Sequence, residues 1–175
     1  MTGPLSRPVD VRSLPAKGYR EAVEPNEAER ASLVMANDLL ELNSFKADVR
    51  IEPWGADGVR VAGRIAAQVT QRCVVSLEPV SSAIDEPFDA ILVPEGSPLA
   101  RADDGEVVLD GESDDLPETF VPPVVDIGGV VSEFFTLALD PYPRAPGASL
   151  PAAAGGAVPN PFAMLRALKL GGETS

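Results

Sequence analysis

The sequence of 175 residues contains no histidine and one cysteine, Cys73. Without histidine, Ser-His-Asp and Cys-His catalysis are excluded, together with His-ligated zinc and the usual switch near neutral pH. A single cysteine excludes an intramolecular disulfide and fits a reducing compartment. With no histidine beside it, it also excludes a structural zinc site within one chain, so no metal and no cofactor is expected. Bases are scarce too, with 14 Lys and Arg against 27 Asp and Glu and a net charge of −13. No stretch approaches the roughly 18 uninterrupted apolar residues of a membrane span, and the N-terminal MTGPLSRPVDVRSLP has no apolar signal-peptide core. A cytoplasmic location, with no membrane partner, is the expectation.

What is present is 45% apolar residues, enough for one folded domain, with 18 prolines and 15 glycines that assign much of the chain to loops. The organising stretch is Val59 to Val80, VRVAGRIAAQVTQRCVVSLEPV. Its odd positions are mostly apolar and its even positions carry Arg60, Arg64, Gln68, Thr70 and Arg72, the period of a half-buried strand. Strands rarely exceed about 10 residues, so a bend or split is expected at Gly63 or at Gln71–Arg72. Cys73 falls on the apolar side and reads as core, since a free buried cysteine behaves as a small hydrophobe.

Upstream, Phe45 to Pro53 alternates with Phe45, Ala47, Val49 and Ile51 inward and Lys46, Asp48, Arg50 and Glu52 outward. Trp54 to Gly58 reads as a turn, so the two strands form a hairpin. Coincident apolar faces put Pro53 opposite Val59, Glu52 opposite Arg60 and Asp48 opposite Arg64. Cross-strand ion pairs to those arginines are then expected. Lys46, Arg50, Arg64 and Arg72 are the candidates for RNA contact on this face. A merely solvated face competes with that reading, because no aromatic ring is expected there as a base-stacking platform.

Two helices are expected. Asn26 caps the first, with Glu29 completing a capping box, an apolar stripe of Ala28, Ala31, Val34, Met35 and Leu39, and an end at Asn43-Ser44. Asp126 caps the second, whose buried stripe is Ile127, Val130, Val131, Phe134, Leu137 and Ala138, stopped by Pro141. Gly128 and Gly129 weaken its first turn unless another backbone must approach closely there. Residues 4–13 hold a short edge strand, and Phe88 to Val93 another strand between Pro87 and Pro94, after a polar stretch Ser81 to Asp85 that closes the long one. Residues 1–144 are read as one α+β domain: an antiparallel sheet of about five strands with both helices on one face. A flexible linker over 145–158 and a short C-terminal helix in 159–175 follow.

Between Glu78 and Glu118 the net charge is −12. The segment is not a calcium loop, since counting from Asp110 puts Asp115 where glycine is needed and Val121 where glutamate is needed. Asp103, Asp104, Glu106, Asp110, Glu112, Asp114 and Asp115 are the candidates for an acidic surface that meets a basic partner.

Four peptides, QRCVVSLEPV, DEPFDAILVPE, DIGGVVSEFFTLALDPYPR and NPFAMLRALK, together resemble the YceD family of bacterial and plastid proteins. Many members carry C-x-x-C in the first of these, whereas Thr70 occupies the first position here and only Cys73 remains. The resemblance implies a part in accumulation or processing of 23S ribosomal RNA and large-subunit assembly, with no catalytic residues to carry over. The implied partner is precursor 23S RNA or an early large-subunit ribonucleoprotein. The alternative is an acidic, chaperone-like partner of a basic ribosomal protein, without RNA contact.

Overall fold

The computed structural model describes residues 3–100 and 117–149. The seven acidic-surface candidates between Asp103 and Asp115, and the expected C-terminal helix, lie outside the described residues. The elements are β1 (Pro8–Asp10), β2 (Tyr19–Val23), α1 (Glu27–Ala36), β3 (Glu41–Trp54), β4 (Gly58–Arg72), β5 (Pro79–Pro94), β6 (Glu118–Phe120), β7 (Val124–Asp126) and α2 (Ile127–Ala138). Strands β2-β3-β4-β5-β6 form a five-stranded sheet, and β1 pairs with β7 in a separate two-stranded ribbon. All the pairings are antiparallel except β5 with β6. The fold is therefore α+β, with a mixed, mostly antiparallel sheet.

The β3–β4 hairpin has the register that alternation predicts: Asp48 faces Arg64, Glu52 faces Arg60 and Pro53 faces Val59. Period-two burial fixes this, because a slip of one residue would expose every inward side chain. Strand β4 runs unbroken through Gly63 and ends at Arg72, the second of the two expected break points. The alternation beyond it is not a strand. Residues 73–78 form a tight turn in which Leu77 N–H donates to the Cys73 carbonyl at 3.0 Å, Cys73 N–H donates to the Glu78 carbonyl at 2.8 Å, and Leu77 takes a left-handed φ of 64°.

Strand β5 is one element from Pro79 to Pro94, not a short strand beginning at Phe88. It continues through Pro87 because β6 pairs only with Leu92 to Pro94, leaving most of β5 as an edge among the described residues. An edge tolerates a residue with no N–H to contribute.

Both helices pack on the inner face. Phe135 of α2 is fully buried and meets Phe45 of β3 edge-on, ring centroids 5.1 Å apart, while Phe134 lies over Phe88 at 5.3 Å. Leu33 anchors α1 with no exposed surface. The helix caps are as expected: Asn26 Oδ1 accepts from Glu29 N–H at 2.9 Å, Glu29 Oε2 accepts from Asn26 N–H at 2.9 Å, and Asp126 Oδ1 accepts from Gly129 N–H at 3.3 Å. The expected stripes need correction. Met35 and Leu137 are exposed, and Leu33 and Phe135 take the buried places.

In α1 the rotation follows Arg30, which lies on the sheet side with Leu33 and donates to the carbonyls of Leu42 and Asn43 at 2.9 and 3.2 Å. The helix stops at Ala36, and Asn43–Ser44 is instead a bulge in β3.

Gly128 is where another backbone comes close. A Cβ there would sit 2.7 Å from Arg7 N and from Ser6 Cα. The N-terminal segment is thereby seated on α2: Ser6 Oγ donates to Asp126 Oδ2 at 2.8 Å and Arg7 N–H to Asp126 Oδ1 at 2.7 Å. The Arg7 guanidinium then forks onto Glu29 of α1 at 2.5 and 3.0 Å, joining the chain start to both helices.

Candidate nucleic-acid interface

Among the described residues, both helices lie on the inner face of the sheet, and the outer face carries side chains alone. Alternation places Arg20 and Ala22 of β2 on this face. From β3 it adds Lys46, Asp48, Arg50 and Glu52, from β4 Arg60, Ala62, Arg64, Ala66 and Gln68, and from β5 Asp85 and Asp89. The inner side chains at the same rows, Val49, Ile51, Val61 and Ile65, are buried and hold the strands rigidly beneath.

The arginines find other carboxylates than the expected ones. Arg60 forks onto Asp89 with Nε to Oδ1 at 2.9 Å, and Arg64 bonds Asp85 through Nε. Both partners sit on β5, each two residues from the position directly opposite. The register was right, and the competition decides the pairing. On β3, Asp48 is 3.7 Å from Lys46 and Glu52 2.8 Å from Arg50, each two residues along the same strand. Strand β5 has no Lys or Arg, so its carboxylates have only the β4 arginines to meet.

The hydrogen bond to Asp85 raises the pKa of Arg64, and the same bond from Arg64 lowers that of Asp85. Of the four RNA-contact candidates, Lys46, Arg50 and Arg64 thus share one face. Arg72 stands at the far end of β4, exposed and without an ion pair among the described residues.

Two residues of this face escaped the reading of the sequence. Arg20 lies directly opposite Arg50 in the β2–β3 register. Its strand, Tyr19–Val23, is five residues long with mixed polarity on both sides, so no clean alternation flags it. Trp54 belongs to β3 rather than to the turn, and pairs with Gly58. Alternation puts it at the hairpin end of the arginine face, and its ring lies over Gly58, where an added Cβ would be 3.0 Å from Trp54 Cε3. The expectation that the face lacks an aromatic ring is corrected accordingly.

Cys73 is sealed, with no exposed surface. Its Sγ accepts N–H bonds from Ala145 at 3.3 Å, Ser76 at 3.3 Å and Val75 at 3.4 Å, while Val74 N–H reaches the Pro143 carbonyl at 2.9 Å. The Ala145 bond foremost, then those from Ser76 and Val75, lower the thiol pKa to about 6, against the opposing effect of burial. The sulfur pins the segment after α2 to the β4–β5 turn. Among the described residues, no three His, Cys, Asp or Glu side chains are grouped to hold a metal ion, and no helix is long and apolar enough to cross a membrane.

A family model described as large ribosomal RNA subunit accumulation protein YceD matches residues 61–169, more than half of the chain. The chain belongs to the YceD family. That description ties the YceD family to accumulation of large-subunit ribosomal RNA and names no reaction. The matched residues include Arg64 and Arg72 on β4, whereas Arg20, Lys46 and Arg50 precede them. No curated protein and no solved structure matches the chain.

Proposed function

We propose that this YceD-family protein supports accumulation of 23S ribosomal RNA as a non-catalytic factor. In this reading it binds precursor RNA, or an early large-subunit particle, through the outer face of its sheet. The observation that carries the reading is the gathering of Arg20, Lys46, Arg50 and Arg64 on one face of the sheet that no helix covers among the described residues, in a protein that is otherwise acidic. A net charge of −13 repels polyphosphate at long range. Beyond about 8 Å at physiological salt that repulsion is screened, and local guanidinium contacts then decide binding. Each of these cations except Arg20 is already held by a carboxylate. RNA would exchange one anion for another, which favours a weak, releasable grip suited to a factor that leaves the finished subunit.

The test is gel retardation of a precursor 23S fragment over a salt series. With about three phosphates engaged on single-stranded RNA, log K should fall against log salt with a slope near −2. No retardation at low salt overturns the reading. The net −12 between Glu78 and Glu118 supports a second reading, the acidic partner of a basic ribosomal protein. Capture of such a protein, unaffected by charge reversal at Arg50 and Arg64 but lost on neutralising Asp103 to Asp115, would establish it instead.

A further inference from the structure

Directly opposed like charges weaken an antiparallel sheet. Arg20 and Arg50 are such a pair, and Arg64 lies one row away across Asp48. Between them the outer face sinks into a depression of about 530 Å³. Its walls are the side chains of Arg20, Arg50, Arg64 and Asp48, and its floor is Ala22 and Ala62. Larger side chains at either alanine would fill it. Beneath, Gly63 keeps the sheet thin: an added Cβ would meet the Asp48 carbonyl oxygen at 2.3 Å and the Phe88 ring at 2.9 Å.

We propose that this arginine-walled, alanine-floored depression is a phosphate-binding subsite that takes one phosphodiester of single-stranded RNA. The inference rests on the RNA-binding reading above and assigns it a centre. Three observations support it. Arg20 has no ion pair among the described residues, although it faces another arginine. Arg64 donates to Asp85 through Nε alone, so neither terminal amino group is held by a hydrogen bond among the described residues. Arg50 spends Nε and Nη2 on Glu52, which leaves Nη1.

A phosphate oxygen set among three guanidinium groups relieves the Arg20–Arg50 repulsion and satisfies those donors. Two acidic residues, Asp48 and Glu21, also line the depression, and Lys46 stands 3.7 Å from Asp48. The Glu21 side chain turns by alternation to the other side of β2.

The experiment follows the arginine side-chain N–H resonances of the full-length protein during titration with inorganic phosphate and, separately, with a hexameric uridine oligonucleotide. Binding of a precursor fragment is measured in parallel on the native protein, Arg20→Gln and Ala62→Glu. Arg20→Gln should melt no lower than the native protein, because it removes one of two opposed arginines, and the melt of Ala62→Glu reports directly whether that variant is folded. The expected result is a shift of the Arg20, Arg50 and Arg64 signals with both ligands. RNA affinity should fall about fivefold in Arg20→Gln, with a salt slope shallower by about 0.7, and should be lost in Ala62→Glu.

If native protein binds RNA and both variants bind equally well, the subsite is overturned and the broader reading of the face stands. If phosphate shifts the three arginines but no RNA binds, an anion site exists and the RNA assignment is overturned. If neither ligand moves them, both are overturned.

Discussion

The two faces of one sheet use the same strands for opposite ends. On the inner face, Phe45, Phe135, Leu33 and Ile65 are sealed against each other and against both helices. On the outer face, Lys46, Arg50, Arg60 and Arg64 form ion pairs that are partly exposed to water. Burial of apolar surface contributes free energy that no ligand can replace, whereas an exposed ion pair exchanges readily for water, salt or a phosphate. The inner face therefore sets stability, and the outer face is free to serve recognition.

The largest test of this contrast is Phe135→Ala. It removes a fully buried ring and its edge contact with Phe45. Urea unfolding should show a loss of about 3–5 kcal/mol. An RNA affinity lost in proportion to folded protein, and no more, would keep the two roles separate. A smaller loss would mean that the inner face does not carry the stability.

The intermediate case is the half-buried junction of Arg7 with Glu29, whose side chains keep 28% and 19% of their exposure. Glu29→Gln keeps an acceptor for the Asn26 N–H and removes the charge, so about 1 kcal/mol should be lost at neutral pH. The Arg7 hydrogen bond, foremost, lowers the Glu29 pKa below its ordinary 4.5. A carboxylate with a lowered folded pKa contributes stability above its unfolded pKa and loses it as pH falls through the folded value. The native protein's advantage over Glu29→Gln should therefore be full above about pH 4.5 and fade as pH falls from there through the lower folded value, as read from denaturant midpoints at several pH values. An advantage unchanged into acid would show that the ion pair is not its source.

The smallest effect belongs to the outer face. In a double-mutant cycle of Arg50→Gln and Glu52→Gln, the coupling measured by chemical denaturation should stay under ~1 kcal/mol. A larger coupling would blur the contrast between the faces.

Where local periodicity and turn chemistry act alone, the sequence was legible. Two clean alternations joined by Trp54 to Gly58 admit one register, and the structure has it. Asn26, Glu29 and Asp126 cap helices because their bonds close within three residues. The ion-pair partners of Arg60 and Arg64 were not legible, since they depend on β5 lying beside β4, and the prolines of β5 disguised its continuity. Nor was Arg20, because a five-residue strand carries too few alternations to declare its faces. For the helices, propensity and capping set where they form, while the side that turns inward depended on Arg30 reaching the β3 carbonyls and on the space opposite Phe45.

By itself, then, the amino-acid order determined the chemistry excluded by missing histidine, the hairpin at the centre of the sheet, and membership of a family recognised through its peptides. All of these are properties of neighbours in sequence. Only the tertiary structure decided that Cys73 is a buried clamp on the segment after α2, that Trp54 shares the arginine face, and that Arg20 stands against Arg50 over an alanine floor. The Cys73 clamp and the Arg20–Arg50 pair join segments far apart in the chain, which non-local pairing brings together, while Trp54 joins the face because β3 extends to it and pairs with Gly58.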